Sequence, residues 1–366
     1  MSANQKFLIL GACQYEKPTW EAKLTDKPGI LEFVPYTALT DKHNVYNSEQ
    51  LDVTYDSKNY ELLLAYRNMS GSNLIIQTAG QYLQSPSFDL PGGPYGKGEI
   101  GTWCNVLALQ SGTYVSVKYE LVNYYGTRLL YRGANKAFVW GSVNTVDHPH
   151  SYSGPRRLVH ATENAKFVYS VSAAFSYKAD DKYYVRFNID TLAMSYFEKI
   201  TDESSQSRLW SRFELGKGVS QDEASKRALQ DTSTPHVIAL YNEQDDTHWL
   251  YYFHLGWKEN CIRYGRIKTR EDGSLIGGPP LSPEHEVEWD VAAFLSFWPE
   301  HIHVSVFAKR VWIFTSGGHS MSCEIPPNAV LPADASGWVK NPTVLTTPRP
   351  GYRAWFYGIP VPSDFI

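Results

Sequence analysis

The chain has 366 residues, with 43% hydrophobic, 20% charged and 14% aromatic residues and a formal net charge of −4. No basic stripe runs along it, which argues against nucleic acid as a partner, and no apolar run approaches the roughly 20 residues that span a bilayer. The four cysteines (Cys13, Cys104, Cys261, Cys323) lie far apart and form no CxxC pair, which argues against a zinc ribbon and gives no disulfide framework.

The 25 Tyr and 11 Trp favour β structure and aromatic-lined binding surfaces. From the N-terminus, FLILGAC, TWEAKLT and ILEFVPY read as three strands that lack a first partner. The opening apolar stretch is shorter than a secretory h-region, so the expectation is a cytoplasmic protein with reduced thiols. One unit then recurs: a β run, a polar turn, a second run, a turn and a third run. The copies are ELLLAYRN with NLIIQTAG and QYLQSP, YVSVKYELV with TRLLYRG and AFVWGS, and FVYSVSAAFSY with KYYVRFNID and LAMSYFEKI. HVIALYNE with HWLYYFHLG and CIRYGRIK follows, then HIHVSVFAK with RVWIFTSGG and SMSCEIP.

Copies start at Glu61, Tyr114, Phe167, His236 and His301, a period of roughly 50 to 70 residues that points to propeller blades. A fourth strand per blade is expected in the connecting segments. Two connections are long. Residues 199–234 include QDEASKRALQD, read as a short helix behind a Ser220/Glu223 capping box, and residues 269–299 hold a Pro/Gly loop and then a strand or helical turn. YRAWFYGIP, near the C-terminus, has the character of a first strand and supplies the one missing at the N-terminus. The expected fold is all-β: a single domain over 1–366, a six-bladed propeller of four-stranded antiparallel blades, one blade closed by both termini. The count becomes seven if LDVTYD, residues 51–56, and its neighbours are organised otherwise.

First strands line the channel of a propeller, so residues at or just before their starts gather at one mouth. These positions are Tyr60, Tyr114, Lys166, His236, His301 with His303, and Tyr352 with Arg353, with Trp298 as a further aromatic wall. Strand period two places His301, His303, Ser305 and Phe307 on one face. The expected catalytic residues are His236, His301, His303 and Arg353. Histidine can move a proton near neutrality, and arginine holds a carbonyl or anionic oxygen. Trp298, Tyr352, Tyr60, Tyr114 and Lys166 are expected to bind substrate. A His-x-His metal site completed by His236 is the competing reading. No carboxylate accompanies it in a familiar motif, so neither metal nor other cofactor is expected. The Gly-rich stretches match no phosphate-binding loop, and GxSxG is absent.

Blade size, aromatic content and the lack of a cysteine framework resemble the six-bladed fucose-binding lectins of fungi, which implies glycan binding between blades. The chain's length, lack of a leader and non-repeating blades are also similar to the fungal hetero-Diels–Alderases of tropolone–sesquiterpenoid pathways. That resemblance implies one asymmetric pocket and no cofactor. Its substrates would be a polyketide, a hydroxymethyl tropolone dehydrated to a quinone methide, and a humulene-type terpenoid alkene. A non-catalytic interaction scaffold and a homo-oligomer stay open at this point.

Overall fold

Runs dense in β-branched and aromatic residues form strands, and a sheet of such strands must cover its apolar faces with neighbours. A computed structural model describes residues 5–13, 18–36, 52–67, 73–79, 87–89, 99–109, 112–121, 124–132, 138–146, 160–163, 167–179, 182–193, 209–219, 236–255, 261–268, 287–290, 302–315, 317–332, 335–346 and 354–365. In chain order the strands are β1 (Gln5–Cys13), β2 (Thr19–Leu24), β3 (Leu31–Pro35), β4 (Asp52–Asp56), β5 (Glu61–Arg67), β6 (Asn73–Ala79), β7 (Ser87–Asp89), β8 (Glu99–Leu109), β9 (Gly112–Leu121), β10 (Tyr124–Arg132), β11 (Phe138–Val146) and β12 (His160–Glu163). They continue with β13 (Phe167–Ala179), β14 (Lys182–Ala193), β15 (Leu209–Val219), β16 (His236–Asn242), β17 (Thr247–Leu255), β18 (Cys261–Lys268), β19 (Val287–Asp290), β20 (Ile302–Phe307), β21 (Arg310–Thr315), β22 (Ser320–Glu324), β23 (Val339–Lys340) and β24 (Ala354–Pro362).

Among the described residues these strands make six four-stranded sheets. Five are simple meanders: β4 to β7, β8 to β11, β12 to β15, β16 to β19 and β20 to β23. The sixth has the order β24-β1-β2-β3 and joins the two ends of the chain. Its β24 pairs antiparallel with β1 along the whole strand, from Gln5 opposite Pro362 to Cys13 opposite Ala354. The first strands also touch in sequence: β4 meets β8, β8 meets β12, β12 meets β16, β16 meets β20, β20 meets β24 and β24 meets β4. No helix among the described residues is long and apolar enough to cross a membrane.

Three sheets depart from the sequence expectation by one strand. ELLLAYRN, YVSVKYELV and FVYSVSAAFSY are second strands (β5, β9 and β13), preceded by β4, β8 and β12. LDVTYD, which left the count of six or seven open, is the first strand of the 52–89 sheet. The 199–234 segment is not wholly an insertion, because Leu209–Val219 is the fourth strand of its sheet. In the 269–299 segment Val287–Asp290 is likewise a fourth strand. The expected helix QDEASKRALQD lies outside the described residues.

The core lies between sheets and follows the two-residue period of the strands. On β20, Ile302 and Val304 join Ile238, Leu240, Tyr251 and Phe253 in a core shared with the 236–290 sheet. Phe307, from the other face of β20, joins Trp312, Phe314, Phe7, Ile9 and Phe356 in a core shared with the terminal sheet. On β24, Trp355, Tyr357, Ile359 and Val361 turn the other way, against Val53, Leu62 and Leu64 of the 52–89 sheet. The 302–340 sheet and the terminal sheet are thereby covered on both faces. The β20–β21 hairpin turns through Ala308 and Lys309, whose φ angles are 49° and 57°. Two left-handed residues match the twist of a two-residue hairpin, at roughly 1–2 kcal/mol each for residues with a Cβ.

Candidate functional site

A strand with no partner on one edge leaves backbone N–H groups unpaired there. In two places a polar side chain near the start of one first strand accepts such an N–H from the next. Asp52, the first residue of β4, takes the Val106 N–H of β8 on Oδ2 at 2.8 Å. His303, the second residue of β20, takes the Gly358 N–H of β24 on Nδ1 at 3.2 Å. Burial makes these bonds matter, since an unmet buried donor costs about 1–3 kcal/mol.

His303 is the centre of an aromatic group drawn from three consecutive first strands. The ring of His236, the first residue of β16, stands edge-on to it at 5.2 Å between centroids and 78° between planes. The ring of Tyr357 on β24 lies 5.2 Å away at 64°. His236 is 3% exposed, His303 9% and Tyr357 0%, so all three are held inside the protein. The ring nitrogens of His236 are buried. Ser305, two residues further along β20, has a buried hydroxyl with no hydrogen-bond partner among the described residues.

Gly358 allows this approach. A Cβ there would lie 2.4 Å from Phe314 Cε2 and 2.7 Å from Phe7 Cζ. Without it, two rings of the terminal core close over β24 while its N–H reaches His303.

The sequence expectation thus brings His236 and His303 together and places them at first-strand starts. His301, Arg353, Tyr352, Trp298 and Lys166 lie outside the described residues. Tyr60 and Tyr114 do not hold the positions assigned to them. Tyr114 is inside β9, a second strand, opposite Leu107 of β8 and Tyr131 of β10. Tyr60 closes the turn from β4 to β5, at the finishing end of a first strand. The physical reason is antiparallel pairing: the start of a second strand lies beside the end of the first.

Tyr60 belongs to a separate aromatic group. Its ring lies 6.1 Å from Tyr55 and 5.5 Å from Phe365. It is 42% exposed and has a φ of 57°. Desolvation beside those rings, then its hydrogen bond and charge contact with Asp364, push its hydroxyl pKa up to about 12. At the corresponding turn of the 236–290 sheet, Tyr241 donates to Asp246 at 2.6 Å, and this bond raises its hydroxyl in the same direction. Cys323 is a free, buried thiol whose ionisation burial pushes upward, so it is poorly suited to nucleophilic work.

Tyr357 and Asp52 were not selected from sequence. Asp52 heads a strand-like DVTYD run, and an acid at a strand start beside Gly-free alternation is the signal that could have marked it. Tyr357 carries no such mark, because its approach to His303 depends on the stagger between two sheets. Among the described residues no group of three or more His, Cys, Asp or Glu side chains is arranged to hold a metal ion.

No family model matches this chain, and no curated protein matches it. Among solved structures it is similar to an endo-arabinase from Bacteroides thetaiotaomicron VPI-5482, at 12% identity and a TM-score of 0.39. The match covers 81% of this chain and 94% of that one.

Proposed function

We propose that the six sheets are the blades of one closed propeller over 1–366, and that the protein is a cofactor-independent hetero-Diels–Alderase acting on a small-molecule pair. The observation that carries the site is the meeting of His236, His303 and Tyr357 from three consecutive first strands. The mutual contacts of all six first strands support the ring.

The reaction follows from the resemblance set out above. A hydroxymethyl tropolone loses water: the C–O bond of the hydroxymethyl group breaks, hydroxide leaves with a proton, and a quinone methide remains. The exocyclic methide carbon and the carbonyl oxygen are the ends of a four-atom heterodiene. They close on the alkene of a humulene-type terpene, forming one C–C and one C–O bond. Electrons balance without an oxidant or reductant. The protein's part is to assist departure of the hydroxyl, polarise the carbonyl and orient two partners. Hydrogen bonding from imidazole suits the first two tasks, with Arg353 and His301 as further candidates at the sequence positions just before β24 and β20. Orientation in one pocket lowers a bimolecular barrier by about 7–11 kcal/mol at best.

The test is incubation of purified protein with a hydroxymethyl tropolone and humulene, followed by mass spectrometry of the adduct. Acceleration over buffer that falls in folded His236→Ala, His303→Ala and Arg353→Ala supports the reading. A rate equal to buffer, together with several fucose sites per chain on a glycan array and by calorimetry, replaces it with a lectin.

A further inference from the structure

We infer that Ser363–Phe365, the segment that follows β24, is a strap that clips the turn between β4 and β5 to the terminal sheet, and that it opens by itself while the sheets it joins stay folded.

The ladder between β1 and β24 ends at Gln5 opposite Pro362. Beyond it the chain turns back, with the Phe365 N–H donating to the Pro362 carbonyl at 3.0 Å. Ser363 and Asp364 are exposed, whereas Phe365 is 0% exposed. Side chains hold this segment, not strand pairing. The Phe365 ring enters the core between the terminal and 52–89 sheets, 5.4 Å from Tyr55 and 5.5 Å from Tyr60. Lys6 of β1 donates from Nζ to the Phe365 carbonyl at 3.3 Å. The Asp364 carboxylate accepts the Tyr60 hydroxyl.

A comparison of two turns shows what the strap holds. Asp56 pairs with Glu61 across the first turn of the 52–89 sheet, and Asn242 pairs with Thr247 across that of the 236–290 sheet. The turns thus have the same length. The residue before the second strand is left-handed in both, Tyr60 with φ 57° and Asp246 with φ 54°. Aspartate is tolerated in that region, whereas the Cβ of a bulky residue is crowded there. In the 236–290 sheet the tyrosine–aspartate bond is internal to the hairpin, from Tyr241 to Asp246 at 2.6 Å. In the 52–89 sheet the tyrosine takes the left-handed position and the carboxylate comes from the strap. Asp56 fixes the first half of this turn, accepting the Lys58 and Asn59 N–H groups at 3.0 and 3.1 Å. The strap fixes the Tyr60 end. A crowded backbone persists where its surroundings over-determine it.

Opening the strap breaks no bond of the β1–β24 ladder. A segment held past the end of a ladder by a few contacts opens at lower free energy than the sheet beside it. Once Phe365 and Asp364 leave, the Tyr60 end of the turn loses its outside hold.

The test is native-state hydrogen exchange of the full chain at low urea concentrations, with limited trypsin digestion after the exposed Lys58. The Phe365 amide should exchange through an opening that urea hardly changes, while Tyr357 and Ile359 in β24 follow the urea dependence of global unfolding. Cleavage after Lys58 should share the urea independence of Phe365. Asp364→Ala and Tyr60→Phe each remove one half of the bond between strap and turn. Each should speed both Phe365 exchange and cleavage after Lys58 roughly tenfold, and the double variant should be no faster than either single. A Phe365 amide with the same opening free energy and urea slope as Tyr357 and Ile359 overturns the inference. So do variants that leave Phe365 exchange at the wild-type rate, variants that speed it without speeding cleavage after Lys58, and additive effects in the double variant.

Discussion

Replacing Gly358 by alanine tests the packing that holds His303 in place. The added methyl would meet Phe314 Cε2 at 2.4 Å and Phe7 Cζ at 2.7 Å. Ordinary carbon contacts are about 3.5–4.0 Å, so the rings or β24 must give by about 1 Å. Phe7 and Phe314 are both 0% exposed and belong to a close-packed core, which has little room to yield. Overpacking of this kind costs about 1–3 kcal/mol. Displacing β24 also lengthens the Gly358 N–H bond to His303, at about 1 kcal/mol more. The expected loss is roughly 2–4 kcal/mol in urea unfolding. A second substitution checks the cause. Phe314→Leu removes the ring atom nearest the new methyl, and the pair should be more stable than the sum of the singles predicts by at least about 1 kcal/mol. A Gly358→Ala protein within about 0.5 kcal/mol of wild type, or strictly additive singles, would refute the reasoning.

Phe365→Ala should destabilise by about 3–5 kcal/mol, because Phe365 is 0% exposed and fills the core between the terminal and 52–89 sheets; scanning calorimetry that shows an unchanged midpoint would contradict this. Tyr251→Phe leaves the Leu331 N–H and Ala329 C=O without their 2.9 Å and 2.8 Å bonds. A loss of about 1–3 kcal/mol is expected, and faster hydrogen exchange at the Leu331 amide is its local signature. Tyr60 should ionise near pH 12 rather than its ordinary 10, seen as a late step in ultraviolet titration that moves down in Asp364→Asn. Its pKa is raised in the folded protein, so its contribution to stability is complete below pH 10 and lost as pH rises from 10 through 12; a single tyrosine step near 10 would count against it.

The strands and the pairing of the chain's ends were legible in the sequence for a local reason. β-branched and aromatic runs bounded by turn residues mark strands, and each strand is decided largely by its own residues and its hairpin neighbour. FLILGAC needed a partner, and YRAWFYGIP was a strand without one; β1 and β24 are that pair. The same local evidence misplaced ELLLAYRN, YVSVKYELV and FVYSVSAAFSY by one strand. Two of their preceding strands are short, β12 with four residues and β4 with five, and pairing with a meander on either side looks alike from composition alone. That error carried Tyr60 and Tyr114 to the wrong end of their sheets, while His236 and His303, from sheets read in the right phase, did come together. Their meeting with Tyr357 and Gly358 was beyond sequence reasoning. The stagger of one first strand against the next is set by packing between sheets, through Phe7, Phe314 and the glycine that lets them close, and not by any pattern within a strand. The sequence by itself determined the two inner strands of each sheet and that the two ends share a sheet. Only the tertiary structure decided which strand leads the 52–89, 99–146 and 160–219 sheets and which nitrogen of His303 faces a backbone N–H, because both depend on contacts between residues tens of positions apart.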